Sequence, residues 1–383
     1  MRSVPFYKHS LGSLEKLSLE KSIDRPILTS GEVCREAEKL ISQFFDVKGC
    51  KLVNSWTNGA VAALLALEIG PGDEVIVPSM TFIATANVVE LVGAKPIFCD
   101  VSEVDLMITP ELISHLISPK TRAVFAVNLY GQMADIKALS EYLKPKNIVL
   151  IEDSAHAFES SRDGYRSGKY SDLAIFSFYA TKNITCGEGG AIISNSLEFM
   201  NKLEKTVHHG MSAAAQNRFT NGRYNHWDME VLGTKANLPD ILAALLVPQI
   251  NSEVIQEKLK MREAIANLYR SKLSNLPIKF PAWNKHESQN AFHLFPISVE
   301  SRFRDSLITF LNSNGIGATV NYNPVHKTKY YKDKYPGLMP LTISEHWGAS
   351  TLTLPLYPSL PLRDVEYIAE VIEDFFKQGL YVT

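Results

Sequence analysis

Seven side chains fall near the ends of apolar runs or the starts of helical patterns, and each has a plausible chemistry. In "SFYATKNITCGEGGAI", residues 177 to 192, Lys182 follows Ser177 by five positions and precedes a glycine-rich turn. A lysine desolvated on such a loop loses preference for its charged form, and its amine becomes the nucleophile that Schiff-base chemistry needs. An ordinary solvated loop lysine fits the same text. Asp153 closes the apolar run "NIVLIED", where a carboxylate is costly unless paired. It suits either a protonated pyridine nitrogen of pyridoxal phosphate or the capping of a following helix. Thr57 and Asn58 open the helical pattern "NGAVAALLAL", and free amides with a hydroxyl at a helix N-terminus make a phosphate site or a plain cap. Ser177 offers a further hydroxyl. Phe82 could stack on a flat ring or pack in the core, and His156 could meet a ring oxygen or be structural.

These residues need a scaffold that gathers strand ends. From residue 50 onward, β-branched runs alternate with helical stretches: "EVIVP" (74–78), "KPIFCD" (95–100), "RAVFAVN" (122–128), "NIVLIED" (147–153), "LAIFSF" (173–178) and "AIIS" (191–194). Runs apolar on both faces, separated by helices, predict a mostly parallel sheet covered on both sides. Such sheets bind ligands at the carboxyl ends of their strands, where the polar residues lie here. The pattern predicts a large domain over 1–250. A charged helix, "NSEVIQEKLKMREAIANLYRSKL", then leads into a small α/β domain over 251–383, with "AFHLFPISV", a helix "RFRDSLITFLNSNG", a strand "IGATVNY" and a final amphipathic helix.

Composition narrows the function. Across 383 residues, 39 basic side chains face 41 acidic ones without a long block of either sign, which argues against a nucleic-acid groove or a membrane-binding patch. The start, "MRSVPFYKHS", lacks the apolar stretch of a secretory signal, and no run suffices to span a membrane, so a cytoplasmic protein is expected. The cysteines Cys34, Cys50, Cys99 and Cys186 have no metal-ligand spacing, and no metal is expected.

Taken together, "GPGDEVIVPSMTFIATAN", "GAKPIFCDV", "NLYGQMADI", "IEDSAHAFES", "SFYATKNITCGEGGAI", "NLPDILAALLVPQI", "HLFPISV" and "NPVHKTKYY" resemble the DegT/StrS family of nucleotide-sugar aminotransferases over nearly the whole chain. The resemblance implies the type I fold of pyridoxal 5′-phosphate enzymes: a large domain with a mostly parallel mixed sheet and a small C-terminal α/β domain. It implies that Lys182 carries the cofactor and later moves protons, and that Asp153 pairs with the pyridine nitrogen. Phe82 would stack on the ring, and His156 would lie near its phenolic oxygen. Thr57, Asn58 and Ser177 would hold the phosphate, with Asn237 reaching the neighbouring subunit's phosphate in a homodimer. "TKNITCGEGG" looks most like the branch that aminates 4-keto sugars, the UDP-4-amino-4-deoxy-L-arabinose enzymes among them, with L-glutamate as donor. Substrate contacts are expected from Lys235, Asn321, Tyr322, Asn323 and His326. Asn321 and Asn323 stand where the arabinose enzyme has histidine and arginine, and Phe82 where it has tryptophan. These departures favour a UDP- or dTDP-4-keto-6-deoxyhexose over the pentose. A sugar 3-dehydratase of the same fold would carry histidine in place of Lys182, and a non-catalytic regulator would lose that lysine or add a DNA-binding segment.

Overall fold

The computed structural model describes residues 2–212, 219–220, 223–224, 226–283 and 287–377. Its centre is a seven-stranded sheet: β1 (Gly49–Val53), β2 (Glu74–Pro78), β3 (Lys95–Cys99), β4 (Thr121–Val127), β5 (Val149–Asp153), β6 (Leu173–Ser177) and β7 (Gly190–Ser194). They run in the order β1-β7-β6-β5-β4-β2-β3. The neighbours from β3 to β6 pair in parallel, whereas β7 is antiparallel to both β6 and β1. The mostly parallel sheet expected from the sequence is therefore present. The short run "GCKLV" supplies an edge strand that periodicity does not reveal, because Lys51 interrupts its apolar pattern.

Alternation along each strand builds two cores. Phe125, Ile151, Ile175 and Ile192 face the helices Trp56–Ala66, Ala84–Leu91 and Leu197–Thr206. On the other face, Ala174, Phe176, Ala191 and Ile193 pack with the helix Glu32–Phe45, while Val124, Ala126 and Leu150 pack with the helix Ile136–Leu143. The register aligns Val127, Asp153 and Ile175 in one row, and sets Ser177 opposite Gly190. Asp153 shares the face of Ile151 and meets the helix Ala84–Leu91 through Thr85. Glu152 points the opposite way and is buried among Asn128, Gly168 and Ser171, which all donate to it.

A third layer forms from the C-terminal part of the chain. Strands Phe295–Ser298 and Thr351–Leu354 pair antiparallel and pack with the helices Ser252–Leu273, Ser301–Ser313 and Leu362–Lys377 around Tyr269, Phe295, Leu307, Ile368 and Phe375. Asn251, just after the proposed division at residue 250, caps the long helix by accepting from the N–H groups of Glu253 and Val254. Val4 belongs to this core and bridges to Ile316. The strand expected over "IGATVNY" does not form: only isolated bridges at Ile316 and Thr319 occur. Ile316 pairs with Val4 of the N-terminal segment and Thr319 with Thr353, so the stretch changes partner after one residue and no ladder builds.

Candidate active site

The carboxyl ends of β5 and β6 open into a cavity of about 480 Å³, walled by parts of the chain as distant as Phe6, Thr57, Phe82, Asp153, His156, Ser177, Lys182, His293, Tyr322 and Leu356. Each polar group is positioned by local structure. Ser55 caps the helix Trp56–Ala66 by accepting from Asn58 N–H, which leaves Thr57 in the first turn beside the cavity. Gly190 lets β7 approach this helix start: a Cβ there would stand 2.6 Å from the Phe176 carbonyl oxygen and 3.0 Å from the Trp56 nitrogen. The loop carrying Lys182 is closed by backbone bonds from Lys182 to Tyr179 (2.9 Å) and from Phe178 to Gly189 (2.8 Å).

Lys182 and Asp153 perturb each other's environment. Burial pulls the Lys182 amine from 10.5 down to about 8, opposed by the nearby Asp153 carboxylate. About a tenth of the molecules then present a neutral amine at pH 7, against fewer than about one in a thousand for a solvated lysine. Burial likewise pushes Asp153 up from 3.8 to about 6. Thr85 Oγ1, donating at 2.8 Å, and the Ala155 N–H, donating at 3.2 Å, hold it down in part. The Trp56 indole also lowers it, although its N–H meets no hydrogen-bond partner. Among the described residues Asp153 forms no ion pair within 4.0 Å, so this carboxylate is desolvated without a direct cationic partner. A protonated pyridine nitrogen is the kind of cation that would hold it ionised. The amine, the carboxylate, and the hydroxyls of Thr57 and Ser177 beside a helix N-terminus together fit a phosphorylated pyridine cofactor.

His156 is oriented from both sides. Its Nδ1 accepts from the Tyr130 N–H at 3.2 Å, so the proton lies on Nε2, which donates to Tyr322 Oη at 3.1 Å. Burial and the neighbouring Lys182 hold it well below the usual histidine range, and it is neutral. Phe82 is 54% exposed at the cavity mouth, its ring 5.9 Å from that of Tyr322. Asn321 also lines the cavity, and its buried Oδ1 has no hydrogen-bond partner.

Several expected residues lie elsewhere. Asn58 is exposed and its amide donates to Asn54 Oδ1. Asn237 is buried near the end of β1, where it accepts from Lys235 Nζ and donates to Ser30 Oγ at 2.8 Å. Asn323 is exposed beside the cavity residue Tyr322. His326 is pinned between Ser79 Oγ at 2.5 Å and Glu345 Oε1 at 3.1 Å, and faces a separate hollow of about 210 Å³.

One residue of the cavity escapes the sequence reading. His293 sits with its Nε2 3.4 Å from Lys182 Nζ and its ring 4.4 Å from that of His156. In the text it is hidden inside the apolar run "AFHLFPISV". Gly131, at φ +110°, makes its placement possible: a Cβ there would lie 2.7 Å from the Phe292 nitrogen and 3.0 Å from the His293 nitrogen.

Known proteins share this fold. Spr1654 of Streptococcus pneumoniae, described as a sugar aminotransferase and solved in PMP and PLP forms, superposes in its PMP form with a TM-score of 0.91 at 27% identity. That match covers 98% of this chain and 100% of Spr1654. DesV of S. venezuelae, solved with a ketimine intermediate, matches with a TM-score of 0.84 at 29% identity over 94% of each chain. The aminotransferase TlmJ of Streptoalloteichus hindustanus matches with a TM-score of 0.90 at 25% identity over 98% of this chain and 99% of TlmJ. The model of the DegT/DnrJ/EryC1/StrS aminotransferase family matches residues 10–373, and the chain therefore belongs to that family of pyridoxal 5′-phosphate-dependent enzymes.

Proposed function

We propose that this aminotransferase moves an amino group from L-glutamate to the 4-keto carbon of a nucleotide-linked sugar, a UDP- or dTDP-4-keto-6-deoxyhexose. The 4-amino sugar would serve a surface glycan, lipopolysaccharide or another amino-sugar product. The observation that carries the reading is the pairing in one cavity of a lysine amine near 8 with a buried carboxylate that lacks a direct cationic partner. Pyridoxal 5′-phosphate, when bound, supplies an electron sink for the carbon that loses its proton. Lys182 would hold the cofactor and, once displaced, move that proton at Nζ, for which an amine titrating near the working pH is suited. Asp153 would hold the pyridine nitrogen, Phe82 would cover the ring, and His156 would face its phenolic oxygen. Thr57 and Ser177, beside a helix N-terminus, would receive the phosphate, and Asn58 would join them only by leaving its bond to Asn54.

On the sugar side, the unpartnered Asn321 Oδ1 and the Tyr322 hydroxyl are groups suited to a sugar's hydroxyls. Lys235 and Asn323 would act at the outer part of the substrate, whereas His326, held between Ser79 and Glu345, would act only through the elements it anchors. A homodimer is supported by exposed apolar side chains at the mouth, Phe82, Ile83 and Tyr179, and by Trp227, Met229, Val231 and Leu232, which would be covered in a pair. Asn237 would then reach from one subunit to the other's phosphate. No helix among the described residues is long and apolar enough to cross a membrane.

The test is incubation with L-glutamate and a panel of UDP-, dTDP- and GDP-linked keto sugars, read by mass spectrometry. The expected result is a 4-amino-6-deoxyhexose with an equal amount of 2-oxoglutarate. A deoxygenated product, or amination confined to 3-keto sugars, would overturn the reading.

A further inference from the structure

We propose that His293 is a positioning residue for Lys182: a buried chain of hydrogen bonds, Arg262–Glu159–Asn183, fixes the imidazole so that its bare Nε2 faces the lysine amine. The inference rests on reading Lys182 as the amine that carries the cofactor.

The orientation follows from the partners in turn. Arg262, in the long helix Ser252–Leu273, pairs with Glu159 at 2.7 Å, with side chains only 1% and 2% exposed, and its Nε donates to the Ala291 carbonyl at 2.9 Å. Asn183, next to Lys182, places one amide atom 2.9 Å from that carbonyl and 3.2 Å from Glu159 Oε2. A carbonyl and an ion-paired carboxylate only accept, so this atom is Nδ2 and the other is Oδ1. Asn183 Oδ1 lies 3.1 Å from His293 Nδ1, which must carry the proton to donate to it. His293 Nε2 is then without a proton, and it accepts from Lys182 Nζ across 3.4 Å. The ring is neutral, because burial beside Lys182 and Arg262 disfavours its charged form.

A neutral lysine amine has two N–H bonds and one lone pair. When His293 takes one N–H, rotation about the last carbon–nitrogen bond is restricted, and the lone pair is directed along the remaining positions. The carboxylate of Asp153 and the neutral His156 are the other titratable groups beside this amine. The chain also ties the amine to the C-terminal layer, since Arg262 lies in the helix that packs against Leu362–Lys377.

The experiment uses the full chain freed of cofactor by dialysis. Two quantities are read: the rate of pyridoxal 5′-phosphate capture, by the rise in visible absorbance at pH 9.5 where the amine is mostly neutral, and the acetylation of Lys182 against pH, by mass spectrometry. His293→Phe keeps the ring shape and loses the acceptor. It should capture cofactor about tenfold more slowly, the worth of one hydrogen bond, and its Lys182 acetylation profile should move to lower pH. His293→Gln, with an amide oxygen within reach of Nζ, should stay within about threefold of the parent. Asn183→Leu should slow capture about tenfold beside His293 and leave the His293→Gln protein unchanged. Parent-like capture and acetylation in His293→Phe would overturn the proposal, as would equal slowing by Asn183→Leu in both backgrounds. Lys182→Ala serves as the separate control: capture with the parent spectrum in that variant would refute the reading of Lys182 and not the role of His293.

Discussion

The wall of the cavity around Lys182 and the wall around Asn321 are built on different terms. Around Lys182 the side chains form a linked network, His293 on Asn183, Asn183 on Glu159, Glu159 on Arg262, and His156 between Tyr130 and Tyr322, with Arg262 Nη1 and the Trp56 indole N–H buried but unpaired at its edges. At Asn321 a buried oxygen is left without a partner. A linked network resists change, because removing one member strands the others in a desolvated place. An open acceptor costs the free protein something and is repaid by a ligand. The first wall is suited to chemistry that stays the same from substrate to substrate, and the second to choosing among them.

Three substitutions test that division, in order of expected effect. Lys182→Ala should reduce turnover by at least about a thousandfold and abolish the visible absorbance of the bound cofactor, since no other amine among the cavity residues can replace it. A residual rate near the parent's would remove the first wall from the chemistry altogether.

Asp153→Asn should lower turnover by about a hundredfold while making the cofactor-free protein more stable at pH 7. The sign follows from the carboxyl rising from 3.8 unfolded to about 6 folded. Its protonated form favours folding below pH 4, and that contribution is lost as the pH rises to about 6. Above this, the ionised group costs about 3 kcal/mol, of which about 1–2 kcal/mol should be recovered after one lost acceptor is allowed for. Thermal unfolding should therefore favour the variant at pH 7, and that advantage should disappear and turn to a small deficit near pH 4. An equally stable variant at pH 7 would show that Asp153 carries no such strain.

Asn321→Ala should have the smallest effect and the most selective one. We expect a rise of about tenfold in KM for the keto sugar, with the half-reaction with glutamate within about twofold of the parent. Equal losses in both halves would show that the second wall also serves the chemistry.

Much of the first wall was legible in the amino-acid sequence, and the reasons are local. Strands buried on both faces announce themselves as apolar runs, so Asp153 and Ser177 could be placed at strand ends, and Thr57 at a helix start, from spacing alone. Thr85, which donates to Asp153, is indistinguishable in the text from any threonine in a helix. His293 was hidden for the same reason: its partners Asn183, Glu159 and Arg262 are far apart in the chain, and only the fold brings them together. The strand expected at "IGATVNY" failed because its partner in space changes from the N-terminal segment to Thr353, which no periodicity within that stretch records.

That segment also ties the two ends of the chain to one site. Phe6 and Tyr7 face the same cavity as Leu354 and Leu356, so its walls are drawn from nearly the full span of the chain. The central sheet alone carries Asp153 and, on the loop after β6, Lys182. The cavity is complete only where Leu354 and Leu356 come together with Phe6 and Tyr7, so a change at either end of the chain alters the surroundings of a lysine far from both in sequence.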